Sequence, residues 1–102
     1  MTERLFVYGS LMDPEVRRAV LGRDVEVIPD SVRGYRLARI WYGKDTYPVV
    51  IEDRDCEEII EGGVISVSKD DLAALDRYEG PFYRRDLVRL RSGKETWVYV
   101  KA

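Results

Sequence analysis

The sequence predicts a single α+β domain: a small, mixed, mainly antiparallel β-barrel with a few helices around it. Three observations lead there. Short β-branched and aromatic runs recur along the chain, whereas only two segments carry helical spacing. Strands and helices do not alternate in the regular way that βαβ units require. The chain has 102 residues, room for one core and no second domain, and its 45% hydrophobic and 35% charged residues suit a packed globular protein. No internal repeat, low-complexity tract or linker divides it.

Each element has a local reason. Leu5–Tyr8 is a continuous run of strand-forming residues that Gly9 interrupts. Asp13-Pro14-Glu15 reads as a helix start, with Asp13 as N-cap and Pro14 in the first helical position. That helix runs to about Leu21, with Val16, Ala19 and Val20 on one face and Gly22 as its stop. Strands are expected at Val25–Ile28, Val32–Ile40, Val49–Ile51 and Ile59–Val67. Ser68 can cap a second helix while Asp71 completes a capping box; Leu72 and Leu75 give it a core stripe, and Tyr78 or Gly80 ends it. The last two strands, Arg84–Leu90 and Trp97–Val100, flank a hairpin turn at Ser92-Gly93-Lys94.

Two segments stand out for chemistry. Leu75-Asp76-Arg77-Tyr78-Glu79-Gly80 sets a carboxylate between an aromatic ring and a glycine at the end of an amphipathic helix. On such a turn Glu79 can rest against apolar walls, which destabilise its charged form and raise its pKa towards the range of a general base. The plain alternative is a surface glutamate at a helix end. The other segment, Tyr8-Gly9-Ser10-Leu11, is a short strand-to-helix loop. A glycine there lets backbone approach a ligand closely, and the neighbouring N–H groups favour an anionic or carbonyl oxygen. The loop lacks the length and lysine of a P-loop, and there is no dinucleotide glycine fingerprint. An ordinary connection is its plain alternative.

Absences narrow the field. With no histidine, Ser-His-Asp and Cys-His catalysis and the commonest zinc ligand are gone, and Ser10 has no evident base. The single cysteine, Cys56, lies among carboxylates that oppose thiolate formation, and that acidic run fits no EF-hand spacing. No metal site is therefore expected. One cysteine and no signal-like segment after Met1-Thr2-Glu3-Arg4 make a reducing cytoplasm the expected location. Net charge is −2, from 17 basic and 19 acidic side chains, which argues against nucleic acid as a partner. No apolar stretch reaches the length of a membrane span.

The two segments and their spacing resemble the γ-glutamylcyclotransferase-like (AIG2-like) family. Tyr8-Gly9-Ser10-Leu11 is similar to the family's substrate loop, and Gly34-Tyr35-Arg36-Leu37 and Tyr47-Pro48-Val49-Val50 to recurring strand motifs. Gly63-Val64-Ile65-Ser66-Val67 and Leu72 to Gly80 resemble the strand and helix preceding the catalytic glutamate. Tyr83-Arg84-Arg85 and Trp97-Val98-Tyr99-Val100 resemble the closing strands, so the likeness covers nearly the whole chain in the family's order.

The resemblance implies a small mixed barrel with a cavity at one end and an enzyme that needs no cofactor. Its reaction would be intramolecular aminolysis of a γ-glutamyl compound, releasing 5-oxoproline and a free amine or amino acid. Glu79 would then be the catalytic acid and base, Gly9, Ser10 and Leu11 would supply N–H donors, and Tyr8 and Tyr83 would be pocket walls or hydroxyl donors. Asp76 is an alternative acid, though a cap or ion-pair role suits its place one turn earlier. The competing reading is a non-catalytic small-molecule binding module on the same fold. Which γ-glutamyl amine or amino acid reacts, and the oligomeric state, are not written in the sequence.

Overall fold

The computed structural model describes residues 2–102; Met1, the first residue of the Met1-Thr2-Glu3-Arg4 segment, lies outside the described residues. The elements in order are β1 (Glu3–Val7), a 3₁₀ turn (Ser10–Met12), α1 (Pro14–Leu21), β2 (Ile28–Arg33), β3 (Tyr35–Tyr42), β4 (Asp45–Glu52), β5 (Ile59–Val67), α2 (Lys69–Glu79), β6 (Tyr83–Arg89) and β7 (Glu95–Lys101). The strands form one sheet in the spatial order β2-β5-β1-β7-β4-β3, with β6 paired to β7 off that path. Pairing is mainly antiparallel; only β1–β7 and β4–β7 run parallel.

Side-chain alternation divides the core in two. Along β1, Leu5 and Val7 join Ile65, Val67, Leu72, Leu75 and Tyr99 beneath the helices. Phe6 points the other way, into the hollow of the curled sheet, with Val32, Val50, Ile60, Val64, Val98 and Val100. Gly62 is what lets that ring sit there, because a Cβ at this position would collide with Val7 O and the Phe6 ring. A larger residue would have to push β1 off β5.

The sheet curls because its two edge strands are consecutive in the chain. β2 and β3 occupy opposite ends of the strand order, yet only Gly34, with φ +92°, separates them. The continuous strand expected at Val32–Ile40 is thus broken: Val32 pairs with Ile60 of β5, while Leu37 pairs with Val50 of β4. Apolar runs cannot reveal such a break, and only the glycine could have signalled it. The strand expected at Val25–Ile28 instead begins at Ile28, since Val25 and Val27 pack against the helix-side core from a loop. β4 is longer than Val49–Ile51, as its polar half pairs with β3 across a two-residue loop opened by Gly43, φ +64°.

Both helices start on the residues their caps require. The Asp13 side chain accepts the Glu15 N–H, and Pro14 opens α1. The buried face of α1 differs from expectation: Ala19 is exposed, and Arg17 is buried beside Val16, Val20 and Leu21. At α2 the capping box is complete, with Ser68 Oγ accepting the Asp71 N–H at 3.0 Å and Asp71 accepting the Ser68 N–H at 2.8 Å. Asp71 also takes a bidentate pair from Arg23 at 3.0 and 2.6 Å, tying α2 to the segment after α1. The hairpin at Ser92–Lys94 closes through Leu90 N–H to Lys94 O, with Gly93 at φ +94°.

The Arg23 hydrogen bonds hold the Asp71 carboxyl down at about 2. Its stabilisation is therefore full above the ordinary carboxylate pKa and drains away as pH falls towards 2. Asp71→Asn is expected to cost about 1–2 kcal/mol at pH 7. Urea titrations should show the gap between variant and wild type narrowing steadily below pH 4; a gap independent of pH would contradict the assigned pairing.

Candidate active site

A cleft opens where β1 leaves the sheet. After Val7 the chain turns into the 3₁₀ segment, and the far edge of β7 passes from β1 (Phe6 beside Val98) to β4 (Val50 beside Val100). The 3₁₀ turn, the carboxyl end of α2 and the β3–β4 hairpin surround the gap, which encloses about 650 Å³. That lies within the range of small-molecule sites. Tyr8, Gly9, Ser10, Leu11, Glu79 and Tyr83 all line it, so residues far apart in sequence come together in one concavity.

Glu79 is the last residue of α2 rather than part of the following turn. The helix stops there because Gly80 adopts φ +77° and returns its N–H to Asp76 O, and Pro81 has no N–H to continue. Among the described residues the Glu79 carboxylate has no hydrogen-bond or ion-pair partner. Burial alone pushes its pKa up to about 7. The partial negative charge of a helix carboxyl end acts in the same direction.

The turn opposite is a donor surface. Met12 N–H donates to Gly9 O at 2.9 Å and Asp13 N–H to Ser10 O at 3.0 Å. The N–H groups of Gly9, Ser10 and Leu11 find no acceptor among the described residues. Gly9 has φ −117° and ψ −133°, outside the left-handed region. A Cβ would lie 3.3 Å from Pro48 Cγ, and the small residue lets the turn close on β4. Ser10 Oγ lies 2.8 Å from Tyr78 Oη, linking the turn to α2, while buried Leu11 anchors it in the helix-side core.

Behind the turn lies Arg17, only 9% exposed. One of its guanidinium nitrogens donates to Leu11 O at 3.0 Å and Met12 O at 2.7 Å, and its Nε has no partner. No carboxylate pairs with it among the described residues. A buried cation without a counter-ion, set behind free N–H groups, makes the turn favourable to an anion. Sequence reasoning assigned this position no role, because an arginine in a short helix ordinarily faces water.

The tyrosines divide the work. Tyr8 Oη donates to Tyr99 O at 2.6 Å and Tyr83 Oη donates to Pro48 O at 2.8 Å. Their rings are cleft walls, and both hydroxyls donate to main-chain oxygens in this structure. Burial, with the Glu79 charge adding to it, pushes the Tyr83 phenol up to about 12 and Tyr8 higher still. Asp76 makes the ion pair that its helix position suggested, meeting Arg85 at 2.7 and 3.1 Å and accepting Tyr99 Oη at 2.7 Å. Burial would raise its pKa, yet these bonds prevail and hold it below the usual value. This network fastens α2 to β6 and β7 one turn before Glu79. The outer rim was not foreseen: Ile40, Tyr42, Tyr47, Pro48 and Phe82 complete the lining. The Tyr47-Pro48 motif was the one sequence signal that touched it. Among the described residues no group of three His, Cys, Asp or Glu side chains lies close enough to hold a metal ion.

A half-barrel sheet with one desolvated acid at its open end defines a small-molecule site. The chain belongs to the γ-glutamyl cyclotransferase, AIG2-like family, whose profile it matches over residues 5–102. AIG2-like protein A of Arabidopsis thaliana is 34% identical over 85 residues, covering 82% of this chain and 49% of that protein. The Arabidopsis protein AIG2 C is 29% identical across 97% of this chain and 62% of its own length. The chain thus spans about half to three-fifths of these relatives. A solution structure from Arabidopsis thaliana superimposes with a TM-score of 0.81 at 27% identity, over 98% of this chain and 68% of its own. A structure described as a γ-glutamyl cyclotransferase gives a TM-score of 0.83 over 100% of this chain and 68% of that one; at 18% identity it shows the shared fold.

Raising a carboxyl pKa from 4.5 to about 7 has a stability cost with a definite sign. The folded state holds its proton more tightly than the unfolded chain, so stability falls as pH rises between those values and stays lower above them. Glu79→Gln should therefore match wild type near pH 4 and be more stable by about 2–3 kcal/mol at pH 8. Thermal melts across that range check it, and a variant less stable at pH 8 would mean that Glu79 has a stabilising partner.

Proposed function

We propose that the protein catalyses intramolecular aminolysis of a γ-glutamyl compound. The observation supporting this most directly is a partnerless, half-buried carboxylate in the same cleft as a turn of free N–H groups backed by a buried arginine. The substrate's α-carboxylate sits on the Gly9–Leu11 turn, with Arg17 supplying charge from behind. Held in that cleft, the substrate folds so that its α-amine approaches its own γ-carbonyl carbon, and this proximity supplies much of the rate gain.

Glu79 begins ionised and takes a proton from the α-ammonium, freeing the nitrogen lone pair. The amine attacks the γ-carbonyl carbon, a new C–N bond closes the five-membered lactam, and negative charge gathers on the carbonyl oxygen. As the tetrahedral carbon collapses, Glu79 returns the proton to the departing nitrogen while its bond to carbon breaks, and the ring nitrogen then gives up its second proton through the regenerated carboxylate to the released amine, which leaves as an ammonium. The products are 5-oxoproline and an amine or amino acid. A carboxyl group poised near neutrality serves both transfers, because it neither holds nor sheds its proton too strongly. Every group this sequence needs comes from the chain itself.

Screening γ-glutamyl amides and dipeptides for 5-oxoproline release tests the reading. kcat/KM is expected to rise with pH through about 7, following ionisation of Glu79. Glu79→Gln should lower kcat by at least about 100-fold with KM nearly unchanged, since the amide keeps the shape but accepts no proton. Wild-type release by this variant would remove Glu79 from the chemistry. Binding of γ-glutamyl compounds without any release would make the protein a binding module.

A further inference from the structure

We propose that Tyr78 is a positioning residue for Glu79: its hydroxyl, joined to that of Ser10, fixes where the acid stands relative to the N–H turn across the cleft. Its effect on turnover rests on the cyclotransferase reading; its effect on the acid itself does not.

The end of a helix is the part that frays, and Glu79 is the last residue of α2. Two sets of bonds hold this final turn. Asp76 meets Arg85 and Tyr99 on the β6–β7 side. Tyr78 lies two residues further on, about 200° around the helix axis. Its Oη stands 2.8 Å from Ser10 Oγ. The turn is thus pinned on two opposite flanks, and Glu79 follows the second pin directly. Among the described residues this is the only side-chain hydrogen bond between the 3₁₀ turn and α2. Arg17 also grips the 3₁₀ turn, through the Leu11 and Met12 carbonyls, but it ties that turn to α1.

The bond serves geometry more than stability. Tyr78 is 45% exposed, and one hydrogen bond open to water adds little to the fold. The chemistry asks more of it. With the α-carboxylate held on the turn, Glu79 must reach first the α-ammonium and then the departing nitrogen, and a misplacement of about 1 Å can cost up to about 100-fold. The Ser10 hydroxyl also gains a task here: it has no base to make it a nucleophile, and it meets a phenol instead.

Glu79 reports on this bond without any substrate, because burial alone lifts its pKa to about 7. The other titratable groups lining its cleft are Tyr8 from β1, Tyr42 and Tyr47 from β3 and β4, Tyr83 from β6, Tyr99 from β7 and Tyr78 itself. All are phenols, without charge near neutrality. A loosened final turn lets the carboxylate out to water and eases its ionisation.

Tyr78→Phe and Ser10→Ala each remove one hydroxyl, and both are compared with the double variant and with Ser10→Thr. Carbon-13 NMR of the Glu79 carboxyl gives its ionisation, and 5-oxoproline release gives kcat and KM. Each single variant is expected to hold the Glu79 proton at least about tenfold less tightly and to lose about tenfold in kcat, with KM and melting temperature nearly unchanged. The double variant should lose no more than either single one. Ser10→Thr, which restores a hydroxyl, should recover most of the loss seen in Ser10→Ala. Wild-type ionisation or wild-type kcat in Tyr78→Phe overturns the proposal, and so do losses that add in the double variant. If wild type releases no 5-oxoproline, a Glu79 ionisation shifted equally by both single variants and no further by the double one upholds Tyr78 and sinks the reaction. Unshifted ionisation in that case sinks both.

Discussion

The molecule is organised by the sharing of one edge of β7. Its other edge is taken throughout by β6, from Arg89–Glu95 to Tyr83–Lys101. The shared edge serves β1 first and β4 afterwards, and the two cannot occupy the same hydrogen-bonding positions. β1 must therefore depart where β4 arrives. Its departure throws Tyr8, Gly9 and the 3₁₀ turn outward, and the unfilled wedge between the diverging strands becomes the cleft. Tyr8 and Tyr83 span this wedge from opposite sides with hydroxyl bonds to Tyr99 and Pro48 backbone, so the gap is braced by side chains where ladder bonds are missing.

The same divergence explains why an acid can remain unpaired there. The α2 helix lies over the helix-side core through Leu72 and Leu75, and its direction is held by Asp76 bonded to Arg85 and Tyr99. One turn later the helix runs out over the wedge, where apolar side chains are close and cations are not. Neighbouring carboxylates behave oppositely because their partners differ: Asp71 and Asp76 are held low by arginines, whereas burial alone governs Glu79. Arg17 completes the asymmetry, a cation without an acid behind the turn facing an acid without a cation.

Much of the frame was legible wherever one residue type has one dominant reason to be present. Asp13-Pro14, Ser68 with Asp71, and Ser92-Gly93-Lys94 mark their caps and turn because the local backbone demands those groups, and the structure uses them so. Illegible features depend on what lies across space. Nothing in the pattern of residues 35–42 shows that Ile40 and Tyr42 border a cavity while Leu37 and Trp41 do not line it. Ala19 and Arg17 exchange their expected exposures because the turn before α1 offers two carbonyls that a guanidinium can satisfy and a methyl cannot. Glu79 was legible as a candidate from its neighbours Tyr78 and Gly80; that it has no partner is a fact of the packing.

The placement of β1 carries a kinetic meaning. Its neighbours in the sheet are β5 and β7, both far from it in sequence, with Leu5 beside Trp97. Pairing over such separations requires closing a long loop before any ladder bond repays the lost entropy. A ribosome-bound chain lacking residues 95–101 leaves Leu5, Phe6 and Val7 with an open flank, and β6 and β4 without their common neighbour. Assembly of the half-barrel therefore waits on β7, and the cleft comes into being only when that strand joins β1 and β4.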